Sequence, residues 1–281
     1  MIAKKRTLKV PAAKVWQALT DKDQMKQWYF DIPDFILQQG AVFNFYEPGD
    51  AREFHHRCQI KEIITEKKIS YTWTHPSHSK GESMVTWMLK EENGSTEVTL
   101  QHEGTENFAD AGQAFAPENY QIGWEGIMFR LKNYINGLRR HTYQVEIKAP
   151  AKKVWNVLWG KETYPRWTSV FSEGSYMKGN LEQGSRIHFL TPDGNGMYAD
   201  VIFLTPKSYV LFQHVGEVRN FVELPKDDET EKWSGAFESY TLNEEDGKTI
   251  LTAEVDLTPE DANFFNEHFP KSLLIIKDLA E

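Results

Sequence analysis

The chain has 281 residues, 40% of them hydrophobic and 13% aromatic, enough to fill two cores and too apolar for a disordered chain. Its net charge of −9 is unevenly spread: residues 1–140 hold 18 Lys/Arg and 18 Asp/Glu, whereas residues 141–281 hold 14 and 23. Neither half has the basic surplus of a nucleic-acid backbone binder, the single Cys58 excludes an internal disulfide framework, and no apolar run approaches the roughly 18 residues of a membrane span. Residues 1–10 are basic but lack the apolar core of a signal peptide, so the expected location is the cytoplasm.

In chain order, a short strand is expected at 7–10. The proline of Pro11-Ala-Ala-Lys-Val-Trp16-Gln-Ala-Leu19 then opens a helix, where its missing N–H costs nothing. Ala12, Val15, Trp16 and Leu19 share one face of that helix. A second short helix reaches Trp28. Strands follow at about 41–47, 53–64, 68–75, 82–90 and 96–103, punctuated by Gly40, Pro48-Gly49 and Asn93-Gly94, the last a hairpin signal. A long helix closes the series, with Trp124, Ile127, Met128, Leu131, Tyr134, Ile135 and Leu138 as its apolar stripe.

The same order then repeats. Pro150-Ala-Lys-Lys-Val-Trp155-Asn-Val-Leu158 matches the opening at an offset of 139, and Trp167 matches Trp28. Gln183-Gly184 and Ile187-His188-Phe189 match Gln39-Gly40 and Phe43-Asn44-Phe45 at an offset of 144, so the second copy carries a short insertion. Its first strand is expected at 143–148, and the later ones at about 185–191, 197–205, 208–215, 233–242 and 248–257, with turns at Asp193-Gly-Asn-Gly196 and Asp246-Gly247. The charged run 226–232 reads as a solvated loop. Thr258 caps the last helix, with Pro259, Glu260 and Asp261 in its first turn. Pro270 lies in its middle and predicts a kink or a split. The domains are therefore expected at 1–140 and 141–281, with a boundary near 139–142.

This pattern gives an α+β fold in two tandem copies, each a curved antiparallel sheet around a long C-terminal helix, with two short helices after the first strand. Together with His102-Glu-Gly104 at the end of a strand and Gly123-Trp124 on the last helix, it resembles the START-like superfamily, also called SRPBCC or helix-grip. Within that superfamily, residues 5–138 are similar to proteins named for the activator of the ninety-kilodalton heat-shock-protein ATPase. The second copy keeps the opening and Trp167 but lacks the His-Glu-Gly and Gly-Trp elements. The resemblance implies a cavity between sheet and last helix, and relatives that hold apolar ligands, assist chaperones in stress responses, or act as cyclases; fold alone does not choose among them.

Strand parity and the last helix place the candidate ligand-binding residues. In the first copy they are Phe43, Phe45, Trp73, Trp87, His102, Trp124 and Met128; in the second, Phe189, Phe212, His214, Tyr240 and Phe264. The same aromatics also suit a solid core. His102 reads as a ligand contact or a base, or else as a histidine satisfied by backbone or Glu103. In His55-His56-Arg57-Cys58, His56 and Cys58 share a face, but two ligands do not close a zinc site, and His75 and His78 fall in a separate loop. Cys58, without a Cys-x-x-Cys partner, reads as a small buried apolar group. No nucleophile elbow, phosphate loop or dinucleotide fingerprint occurs, and no catalytic residue, metal or cofactor is assigned.

The expected function is non-enzymatic binding of a small apolar molecule or lipid. A chaperone-regulating module and a cavity hydrolase, cyclase or lyase are the alternatives. The tandem arrangement predicts a monomer in which the two copies stand in for a dimer, with a pseudo-twofold arrangement.

Overall fold

The computed structural model describes residues 1–47 and 54–281; the expected Pro48-Gly49 turn and the start of a strand at 53 lie outside the described residues. Packing divides the chain into two units, Met1–Ile135 and Asn136–Glu281.

The first unit runs β1 (Ile2–Leu8), α1 (Ala12–Thr20), α2 (Lys22–Trp28), β2 (Val42–Tyr46), β3 (His55–Ile64), β4 (Lys68–Thr74), β5 (Glu82–Glu92), β6 (Ser95–Glu103), two 3-10 segments (Thr105–Ala111 and Gln113–Phe115) and α3 (Pro117–Ile135). Its antiparallel sheet has the order β1-β6-β5-β4-β3-β2. The second unit runs β7 (Arg139–Ile147), α4 (Ala151–Trp159), α5 (Tyr164–Thr168), β8 (Tyr176–Lys178), β9 (Arg186–Leu190), β10 (Gly196–Thr205), β11 (Tyr209–Arg219), β12 (Val222–Glu223), α6 (Asp228–Trp233), β13 (Phe237–Glu245), β14 (Lys248–Leu257) and α7 (Pro259–Ala280). Its sheet has the order β7-β14-β13-β11-β10-β9-β8, with β12 beside β11. Each unit is thus an α+β domain whose sheet faces a long C-terminal helix.

The hairpins turn where the sequence permits a left-handed backbone. Asn93 and Gly94 have φ of 53° and 73°, and Asp246 and Gly247 have 51° and 74°, the mirror-image turn whose twist suits two paired strands. Register shifts at Ile60/Glu62, Tyr198/Ala199 and Val201/Phe203 bend the sheets.

The repeat extends to hydrogen bonds that sequence alignment does not show. The Trp28 indole N–H donates to the Ala18 carbonyl at 3.0 Å, and Trp167 donates to Leu158 at 3.0 Å. The first free N–H of α1, on Ala12, donates to the Glu91 carboxylate at 2.7 Å; that of α4, on Ala151, donates to Glu244 at 2.8 Å. The acid beside each helix start supplies both a partner and a favourable charge. Pro11 and Pro150 sit one residue before these helices, in extended conformation.

Several boundaries differ from expectation. β1 begins at Ile2, not residue 7, because alternate residues Ile2 and Leu8 are buried while Lys5 and Thr7 face out. α3 stops at Ile135; Gly137, at φ 94°, turns the chain, and Leu138 is buried beyond the helix. The charged run at 226–232 is not a loop throughout, since α6 starts at Asp228 with the Asp227 side chain accepting from the Thr230 N–H. α7 does not split at Pro270; the proline is exposed, so the carbonyl it leaves unpaired stands near water.

Candidate functional site

Each domain contains one large cavity. In the first it measures about 460 Å³ and lies beneath α3, lined by Phe30, Phe54, His56, Trp73, His75 and Trp124 among others. His56 comes from β3, at the parity shared with Cys58, and its ring stacks on Phe45 at 4.7 Å. It is 3% exposed, and among the described residues neither ring nitrogen has a hydrogen-bond partner; a carboxylate oxygen of Glu47 is 3.6 Å from Nε2. His75 is brought to it by the end of β4, with ring centroids 4.8 Å apart. His75 does lie in the loop after β4, as expected, but that loop is not separate from His56, since it sets the two rings side by side. The His75 Nε2 meets the Tyr120 hydroxyl at 2.5 Å, and its Nδ1 has no partner. Burial, reinforced by His56, lowers its pKa to about 3, so the ring is neutral at pH 7. The Trp73 indole N–H is also buried and unpartnered.

His102 is fully buried and does not line this cavity. The Trp124 indole N–H donates to its Nδ1 at 2.9 Å, and Ser83 Oγ lies 2.7 Å from Nε2. Both nitrogens are engaged, by Trp124 and Ser83 rather than by backbone or Glu103. Burial, aided by the nearby chain amino group, lowers the His102 pKa to about 3. A neutral ring held on both sides is a bracket between sheet and helix, not a poised base.

The second domain's cavity measures about 480 Å³ and is lined by Trp159, Phe189, His214, Glu238, Tyr240 and Phe269 among others. On β13, Glu238 and Tyr240 share a parity, and β11 presents His214 beside them. The His214 Nε2 lies 2.9 Å from one Glu238 oxygen, and the Tyr240 hydroxyl donates to the other at 2.6 Å. Burial pushes the Glu238 carboxyl up, but these two partners outweigh it and hold it below its ordinary value. The carboxylate draws a proton to Nε2, and in the neutral ring this leaves Nδ1 as an acceptor; Nδ1 has no partner. The buried Trp159 indole N–H has none either.

Of the residues expected to form cavities, Trp73, Trp124, Phe189, His214 and Tyr240 line them. Phe45, Met128 and Phe212 are buried behind the walls. Phe43 and Trp87 pack instead around a void of only about 20 Å³, where the Trp87 indole donates to the Tyr71 hydroxyl at 3.0 Å. Phe264 is corrected to the outer side of α7, 43% exposed and stacked on His268; one residue on, Phe265 lines the cavity, as does Phe269 one turn later. His56, His75, Tyr120, Trp159 and Glu238 were not singled out as cavity residues. The available signal for His56 and Glu238 was a polar residue at the inward parity of a strand; Trp159 and Tyr120 carried no such mark. Cys58 is buried, and burial pushes its thiol pKa well up. Among the described residues no three His, Cys, Asp or Glu side chains converge as a metal site, and no helix is long and apolar enough to cross a membrane.

Residues 9–136 match the family described as Activator of Hsp90 ATPase homolog 1-like protein. No curated protein matches the chain in sequence. Among solved structures, DynU16 from the dynemicin biosynthetic locus is 15% identical at a TM-score of 0.41, with 100% of this chain and 97% of that chain covered. The di-domain ARO/CYC StfQ from the steffimycin pathway is 13% identical at a TM-score of 0.41, with 100% and 98% covered. The Aha1 dimer from Colwellia psychrerythraea is 23% identical at a TM-score of 0.40, with 50% and 96% covered.

Proposed function

With its first domain belonging to the Activator of Hsp90 ATPase homolog 1-like family, we propose that this protein binds small molecules, one in each domain, between the sheet and the last helix. The ligand is largely apolar and carries a polar group. The observation behind this is the same in both domains: a cavity walled by aromatic rings, with buried nitrogens that lack a protein partner, on His56, His75 and Trp73 in one and on His214 and Trp159 in the other. Both cavities open to solvent, so water fills them when no ligand does, and an apolar wall gains by exchanging that water for an apolar occupant. An occupant that fills the space and bonds the nitrogens gains on both counts.

Native mass spectrometry of protein purified from its own host, followed by denaturing extraction, tests this. A reproducible adduct of a few hundred daltons supports it. A bare mass with a chaperone recovered in pull-down, and a changed chaperone ATPase rate, would turn the reading toward a chaperone regulator, which the family description alone supports.

A cavity enzyme is a second reading, favoured by one observation. Glu238 orients His214 in the manner of a carboxylate that positions a general base, with Nδ1 left over. Its test is a substrate screen in which His214→Ala abolishes any turnover found while His102→Ala, after correction for folded fraction, does not.

A further inference from the structure

We propose that the second cavity selects a cation, a protonated organic amine on an apolar body, over neutral or anionic molecules of the same shape; this rests on the reading of that cavity as a ligand site. Four carboxylates line it, those of Glu217, Glu238, Asp256 and Asp261, and no Lys or Arg does. Arg219 lies 3.0 Å from Glu217 and Arg140 lies 3.5 Å from Asp256, while Asp261 accepts from the Thr258 hydroxyl at 2.7 Å. The partners of the Glu238 carboxylate are the imidazole of His214 and the phenol of Tyr240. An ionised carboxylate set among aromatic rings calls for a positive charge.

His214 supplies an independent observation. It is 6% exposed, lines the cavity, turns Nε2 to Glu238, and has an unpartnered Nδ1 that accepts when the ring is neutral. A protonated amine has donors for it and for the carboxylates. Around them stand the rings of Trp159, Trp167, Trp233 and Tyr164, whose faces attract cations. Glu217 and Asp256 are offset by their arginines, so an anion would chiefly meet the carboxylates of Glu238 and Asp261, which oppose its entry. The buried Trp159 N–H adds a donor suited to a hydroxyl or carbonyl on the same ligand. The first cavity differs: among the described residues its one lining carboxylate is the half-exposed Glu47, and its walls carry His75, neutral at pH 7. The acid surplus of the second half of the sequence is thus partly an internal feature.

The experiment is calorimetric titration of the full chain at pH 7 with three probes of one shape: 1-naphthylmethylamine, cationic at that pH, 1-naphthylmethanol and 1-naphthoate. The amine is expected to bind about tenfold or more tighter than the alcohol, with naphthoate weakest. Glu238→Gln should bring the ratio of amine to alcohol affinity close to one. Asp261→Asn, at a hydrogen-bonded helix start, is the second variant, in case the first loosens β13; it should lower the ratio of amine to alcohol affinity about threefold. Equal binding of amine and alcohol overturns the charge selection and leaves the ligand cavity standing. Binding of neither overturns both. An amine preference that survives in both variants also overturns the proposal.

Discussion

The Trp124 indole N–H donates to Nδ1 of His102 over 2.9 Å, and this one contact decides which nitrogen of the imidazole carries the proton. Nδ1 accepts, so Nε2 donates to Ser83 Oγ at 2.7 Å, and the Ser83 hydroxyl passes the chain on to the Trp73 carbonyl at 3.3 Å. Trp124→Phe keeps the ring but leaves a buried nitrogen without its donor. It should destabilise the first domain by about 1–3 kcal/mol in urea unfolding. Imidazole nitrogen shifts in the wild type should report the Nε2–H tautomer; an Nδ1–H tautomer would break the relay as described.

A pH dependence follows from His75 and His102. Both have folded pKa values near 3, below the ordinary 6.5, because both are buried. Above pH 6.5 neither state binds the proton and stability is independent of these groups. Below it the unfolded chain takes up protons that the fold refuses, so stability falls as pH drops from about 6.5 toward 3. Each histidine contributes a slope of at most about 1.4 kcal/mol per pH unit. His102→Gln should remove up to that much of the slope; an unchanged slope would show that His102 is protonated in the fold.

Cys58 is 1% exposed, and burial pushes its thiol pKa well above the ordinary value. A thiol reagent should therefore react with the native protein only as fast as the first domain opens, and rapidly in denaturant. Stoichiometric labelling within seconds under native conditions would contradict that placement.

Pro270 interrupts the hydrogen-bond ladder of a helix that nevertheless runs from Pro259 to Ala280. Since the affected backbone is near solvent, Pro270→Ala should stabilise the second domain, by about 1–2 kcal/mol rather than the roughly 3 kcal/mol of a buried break. Loss of stability in that variant would mean that the packing of Phe265 and Phe269 depends on the bend the proline introduces.

What could be read from the chain was what repeats at short range. The Pro-Ala-x-x-Val-Trp opening, the Asn-Gly and Asp-Gly turns and strand parity led to two copies of one α+β fold, and parity put Trp73 and His214 on inward faces. Tertiary distance hid the rest. Nothing local says that Glu91 and Glu244 reach back 79 and 93 residues to cap the helices, or that Trp124 would claim a nitrogen of His102. The phase of α7 likewise turns on its start at Pro259, and one residue of phase separates the exposed Phe264 from Phe265 on the cavity wall.

Each sheet is open, and the strand that begins each domain forms one of its edges. An open edge is a template on which another chain can add a strand. β1 carries Lys4, Lys5 and Arg6 in succession, β7 opens with Arg139 and Arg140, and the far edge of the second sheet, β8, is three residues long. Long charged side chains on an edge hinder a second strand even where, as here, Lys4 and Arg6 pair with Glu125 and Lys5 with Glu97, and a three-residue strand offers little to pair with. The opening strands thus serve twice: they complete each sheet and they resist its growth into an aggregate.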